Sequence, residues 1–207
     1  MNLKKPTTKT ILPALALALA LLGGCSMVDQ AITLNYAPAE RAFGRQNGVI
    51  AVARTEAPSA RNSRGDWVIG SLNNVHGVRQ ADILSDRSLG EWITDALLLE
   101  LKHAGYSPAY MPALPADAAN GILISDIRGF LNLNKGLVSV DTKHELRFNV
   151  DLFRNGAKVK SFAVVSRDSQ KLALNASREE QEQIMRASLQ DAMQQIMPEV
   201  ISLTGGK

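Results

Sequence analysis

A thiolate is the strongest nucleophile among the ordinary side chains, and this chain has a single cysteine, Cys25. One thiol closes no intrachain disulfide and builds no thiolate metal centre. The imidazoles are His76, His103 and His144. No two of them have the spacing of a shared metal site on one element, so no metal is expected. Carboxylates at Asp126 (near Arg128), Asp141, Glu145 and Asp151 fall among alternating apolar residues, the pattern of a solvated sheet face rather than of a paired acid and base. Gly-x-Ser-x-Gly, His-Glu-x-x-His and Gly-rich phosphate-loop patterns are absent. No catalytic residue, no cofactor and no enzymatic activity are therefore expected. What remains is cationic and aromatic: Arg54, Arg61, Arg64 and Arg79 share a polar stretch with Trp67. Arginine and tryptophan often anchor binding surfaces, which makes this stretch the candidate contact surface for a partner or anionic ligand.

The surroundings of Cys25 give its thiol a different use. Lys4, Lys5 and Lys9 precede an apolar run from position 11 to 22, followed by the small pair Gly23-Gly24. A basic start, a short apolar middle and small residues before the cut make a secretory signal, too short to span a bilayer. Leu22-Gly23-Gly24-Cys25 resembles the lipobox of bacterial lipoprotein precursors. The resemblance implies diacylglyceryl attachment to the Cys25 sulfur, cleavage between Gly24 and Cys25, and acylation of the new amino group, palmitate being the typical chain. Two or three acyl chains, at about 0.8 kcal/mol per buried methylene, anchor a protein stably where one is marginal. It also implies that Ser26, a non-aspartate after the cysteine, sorts the product to the outer membrane, with the domain facing the periplasm.

Cleavage changes the charge balance. The full chain has 23 Lys+Arg against 20 Asp+Glu, but three of the lysines and none of the acids precede Cys25. The mature chain is near neutral, and neither nucleic acid nor an electrostatic membrane patch is expected as a partner. Removing the 24 residues before Cys25 leaves 183 of 207, enough for one domain.

The elements that must position these residues follow from periodicity and caps. Residues 25–48, interrupted by Pro38, Gly44 and Gly48, are expected to be the lipidated N-terminus and a flexible tether of roughly 25 to 30 Å. Alternation of Ile32, Leu34 and Tyr36 leaves an edge strand over 31–36 as the other reading. Residues 49–53 predict a first, central strand, and 54–85 a long polar excursion with a short strand over 67–72. Ser88 and Glu91 make a capping box opening a helix with Leu89, Ile93, Leu97 and Leu101 on one face, widened by Trp92, Ala96 and Leu99, to Gly105. Residues 106–111 predict a strand, and 112–121 a turn-rich connection.

Between 137 and 153 the even positions, among them Val140, His144, Phe148 and Leu152, are mostly apolar and the odd ones polar. His144 thus lies on the dry face, at the core margin or as a pH-sensing group. Asn155-Gly156 predicts a two-residue type I′ turn, with Leu152 opposite Val159, Phe148 opposite Ala163, Leu146 opposite Val165 and Asp151 opposite Lys160. Leu123, Ile127, Leu131 and Leu133 occupy odd positions, so an even loop centred on Lys135-Gly136, with Leu133 opposite Val138, brings them to the same face. A second capping box, Ser177 with Glu180, opens a helix through Ile184, Met185, Ser188, Leu189, Ala192, Ile196 and Val200, ending near Pro198 or shortly after. The expected architecture is α+β: a two-layer sandwich, an antiparallel or mixed sheet with two amphipathic helices on one face. It forms one domain over 49–207, behind a signal peptide (1–24) and a tether (25–48).

The order of lipobox, tether, apolar strand (Val49 to Arg54), Ile69-Gly70, capped helix ending in Gly105-Tyr106, strand from Gly121 to Leu133, and terminal helix resembles the YajG-like bacterial lipoproteins. That resemblance implies a non-catalytic outer-membrane lipoprotein. Auxiliary lipoproteins of ABC-type lipid transporters have a similar layout, which implies as the alternative a hydrophobic-ligand-binding accessory. The partners implied are the membrane, through the anchor, and an envelope protein or a lipid.

Overall fold

The computed structural model describes residues 28–38, 46–55, 60–174 and 177–205. Gly24, Cys25 and the signal segment lie outside them. The elements are β1 (Gln30–Ala31), β2 (Val49–Arg54), β3 (Trp67–Asn73), β4 (Arg79–Ser85), α1 (Leu89–His103), β5 (Ser107–Tyr110), β6 (Asn120–Lys135), β7 (Ser139–Arg154), β8 (Ala157–Ala173) and α2 (Arg178–Gly205).

The spine of the sheet is β6, which shares one edge between two strands. Gly121 to Ile124 pair in parallel with β2, and Leu131 to Asn134 in parallel with β3. The other edge carries β7 antiparallel, and β7 carries β8. β5 lies outside β2, while β4 and then β1 lie outside β3. α1 packs over β2, β5 and β6, α2 over β7 and β8, and the helices touch each other. One core joins both helices to the sheet, the two-layer α+β arrangement expected.

The fork in the sheet falls at a bulge in β6. Register jumps between Ser125 and Arg128, so Asp126 and Ile127 oppose Phe148 alone. Asp126 takes a φ of 51°, and Asn149 Nδ2 donates to its carboxylate at 2.8 Å. An extra residue flips the pleat. Ile122 and Ile124 therefore face the core before the bulge, and Ile127, Leu131 and Leu133 after it. Leu123, expected inward with the odd positions, is only half-buried and pairs with Asp151.

Both hairpin registers differ from expectation for local reasons. Leu133 faces Thr142, not Val138. Odd still meets even, but Gly136 N–H bonds the Ser139 carbonyl at 2.7 Å, and the turn takes in Leu137 and Val138, which the period had counted as strand. The Asn155-Gly156 turn forms with φ of 50° and 75°, as type I′ requires. A bulge at Val159 then moves the ladder by one: Leu152 faces Lys160, Phe148 faces Val164 and Leu146 faces Ser166. The shift turns Val164 and most of the larger Phe162 inward and leaves Val159 exposed. Asp151 faces Ser161 rather than Lys160; Lys158 Nζ holds its carboxylate at 2.7 Å, and Lys160 pairs with Glu199 of α2.

In stretch 54–85, expected as a polar excursion, the short strand expected over 67–72 forms as β3, and β4 joins it in a hairpin paired from Trp67–Ser85 to Asn73–Arg79. Its apex is organised by Asn74, whose side-chain oxygen accepts from the backbone of His76 and Val78 at 2.9 and 3.0 Å. Gly70 lets β3 approach β6, since a Cβ there would lie 2.3 Å from the Leu131 carbonyl oxygen.

Both capping boxes form. Glu91 N–H donates to Ser88 Oγ at 3.1 Å, and Ser88 N–H donates to the Glu91 carboxylate at 2.8 Å, an arrangement typically worth about 1 kcal/mol. That backbone donor holds the Glu91 carboxyl below its usual range. Leu99 is exposed, being about 200° around α1 from buried Leu97, while Leu98 packs at the core edge. α2 does not stop near Pro198 but runs to Gly205. Pro198 leaves the Gln194 carbonyl without its helical donor; burial of Val200, core contact of Ile201 and Leu203, and the Tyr106–Thr204 hydroxyl bond hold the last turns.

Candidate functional site

The tether is corrected first, because part of it belongs to the domain. Ile32 and Leu34 are 3% and 2% exposed, and both are core residues. Ile32 N–H bonds the Leu84 carbonyl at 3.0 Å, and Thr33 N–H bonds Glu182 of α2 at 2.9 Å. Trp92 Nε1 of α1 donates to the Asn35 carbonyl at 3.2 Å, and Gln190 Nε2 of α2 to the Ala37 carbonyl at 2.8 Å. The Tyr36 hydroxyl bonds the buried Glu100 carboxylate; burial first, and then that carboxylate, push the hydroxyl pKa up. Residues 29–37 are thus a strap binding β4, α1 and α2 together. Only Gln30 and Ala31 are strand, so the edge-strand alternative holds for the start of the segment alone.

The strap has a direction. β1 is parallel to β4, and its contacts advance along α2 from Gln181 with Gln30 to Gln190 with Ala37. Gln30 faces Ile83 and Asp29 accepts from Asp82 N–H, so the strap joins the sheet edge beside the middle of β4, close to the start of α2. Cys25 precedes Val28, the first described residue, by three positions, a reach of at most about 10 Å.

The five candidate contact residues do not form one patch. Arg61 stacks its guanidinium 3.7 Å from the Trp67 ring and donates to the Gly65 carbonyl at 2.9 Å. Arg64 lies 3.6 Å from both Asp29 and Asp66. These three share the turn before β3. Arg54, at the end of β2, lies 5.1 Å over the Tyr110 ring. Arg79 starts β4 opposite Asn73 and is paired with Asp82, its backbone separated from the turn by about 20 Å of strand. A groove of about 610 Å³ beside β1 is lined by Val28, Asp29, Ile32, Arg64, Asp66 and Arg178, among others. Its lining mixes apolar side chains with charged ones.

His144 is buried between the sheet and the helices at 1% exposure, and both ring nitrogens lack a partner, as do Thr142 Oγ1 and Ser188 Oγ. Burial, partly opposed by Asp168 across the β7–β8 ladder, pushes its pKa down to about 4. The ring is neutral at ordinary pH. Periodicity placed it on the dry face beside Thr142, but nothing in the sequence signalled that its ring nitrogens would lack partners. Among the described residues no three His, Cys, Asp or Glu side chains gather as a metal site, and no helix is long and apolar enough to cross a membrane.

Fold and strap together define a two-layer α+β domain entered from one end by its own N-terminal segment. No family model and no curated protein sequence matches the chain. Among solved structures, protein XCC0632 from Xanthomonas campestris, family-model DUF330, is similar over 86% of this chain and 96% of its own, at 13% identity and a TM-score of 0.53. That similarity shows a shared fold. A minor lipoprotein from Acinetobacter baumannii aligns with 65% of this chain and 90% of its own at 15% identity, with a TM-score of 0.42. Rare lipoprotein B from Shewanella oneidensis aligns with 65% and 94% at 11% identity, with a TM-score of 0.38.

Proposed function

We propose that this chain is a lipid-anchored, non-enzymatic envelope lipoprotein, an interaction or structural accessory on the periplasmic side of the outer membrane. The observation that carries this reading is the join between anchor and domain. The lipobox-like segment ends at Cys25, and the strap enters the core a few residues later, with Ile32 buried. A cysteine placed there suits attachment better than catalysis. Ser26 and the YajG-like order of elements agree with an outer-membrane destination. The Arg61–Trp67 stack with Arg64 is the part of the expected contact surface that the fold keeps together. The ligand-carrier alternative gains no support from the helix–sheet interface, where Leu97, Leu101, Ile122, Leu146 and Leu189 fill the space at zero exposure.

The test is Cys25→Ser in the full-length precursor, followed by cell fractionation and mass measurement of the N-terminal peptide. The unaltered chain is expected in the membrane fraction with an acylated N-terminus, and the variant as a soluble, folded domain. A variant that still pelleted through a high-salt wash would overturn the single-anchor model.

A further inference from the structure

We infer that the end of the domain nearest Cys25 is a second, non-covalent membrane contact, in which the turn apices at 74–78, 136–138 and 174 dip into the interfacial layer of the leaflet holding the acyl chains. The inference rests on the lipid-anchor reading of Cys25.

Three ladders bring these apices together. β3 and β6 end side by side, Asn73 against Asn134, so the turns that follow them adjoin. β7 begins against the end of β8, Ser139 against Ala173, which adds Leu174. Their apolar side chains face water: Leu137 is 88% exposed, Val138 84%, Val78 56%, Val75 53% and Leu174 48%. Five of the twelve large apolar side chains exposed among the described residues are therefore at this one end. Turn chemistry asks for Gly, Asn, Asp or Ser and has no use for leucine and valine at an apex. A clustered apolar surface marks a contact.

The position of the anchor selects the occupant. β1 runs parallel to β4, with Gln30 facing Ile83 and Asp29 bonded to Asp82, so Val28, the first described residue, lies beside β4 a few residues from the β3–β4 apex. Three residues cover at most about 10 Å. With the acyl chains of Cys25 in the leaflet, this end of the sheet is held against the headgroups, and the surface it meets is the bilayer itself. A few aliphatic apices are too small an apolar area to retain the domain without the anchor, so they orient it rather than attach it.

Acylation occupies the only native thiol, so a cysteine introduced elsewhere takes a label uniquely. Full-length acylated chains carrying Val75→Cys, Val138→Cys or Val159→Cys would be labelled with an environment-sensitive fluorophore and reconstituted into phosphatidylethanolamine–phosphatidylglycerol vesicles. Val159 is 51% exposed and lies at the opposite end of the sheet, next to the Asn155-Gly156 turn. The expected result is a blue shift and quenching by spin-labelled lipid at 75 and 138, with neither at 159. Equal signals at 138 and 159 in a chain whose N-terminal peptide is acylated would overturn the membrane contact alone. Self-quenching between copies without lipid quenching would assign the apices to a second copy, also overturning it. An N-terminal peptide without acyl mass, in a chain that fails to float with vesicles, would overturn the anchor reading and the membrane contact with it.

Discussion

His144 shows how far a single side chain can be read. Alternation along β7 put it on the dry face, and there it is, neutral, with its pKa depressed to about 4 by burial. The unfolded chain takes up a proton near pH 6.5, whereas the folded chain resists until about 4, so the unfolded state binds more protons between those values. Stability is therefore full above about 6.5 and falls as pH drops toward 4, by up to about 3 kcal/mol from this group. Urea unfolding midpoints across that window should fall with pH, and His144→Leu should flatten the slope. A slope unchanged in the variant would assign the acid sensitivity to other groups. Its partnerless nitrogens could not be foreseen, because what packs over the dry face of β7 comes from the distant α2, and Asp168 faces it only through the β7–β8 ladder.

The strap, an irregular element, separates two readings that the same residues allowed. Ile32, Leu34 and Tyr36 alternate over too few residues to distinguish an edge strand from a chance pattern in a tether. The distinction came from elsewhere in the chain: Leu84, Trp92, Glu182 and Gln190 supply the partners. Leu34→Ala should destabilise the domain by about 2 to 5 kcal/mol in chemical denaturation, as loss of a core leucine does. A change within about 0.5 kcal/mol would return the segment to a tether. The hairpins teach a related point. Caps, the Asn155-Gly156 turn and the odd-with-even pairing at Leu133 were legible because they depend on neighbours in sequence. The bulges at Asp126 and Val159 were not, because each resolves a competition between faces that only strand pairing creates. The same limit governed the arginines: one stretch of sequence became a turn, a strand end and a hairpin apex.

For the whole molecule, the strap replaces a long flexible reach with a short one, and geometry becomes testable as linker length. Inserting about ten Gly/Ser residues between Ser26 and Val28 adds roughly 18 Å of flexible reach. Acylation and fold should survive, while lipid quenching of a label at position 138 should be lost. Retained quenching would mean that the apices seek the bilayer without help from the short linker. The amino-acid sequence by itself determined the helices with their caps, the dry and wet faces of β7 and the two-layer α+β class, since each follows from local chemistry or a short period. Tertiary structure decided where the domain begins, how the ladders shift, which arginines share a surface and that three turn apices gather at one end of the sheet. Those outcomes depend on contacts between residues tens of positions apart, and neither spacing nor composition records them.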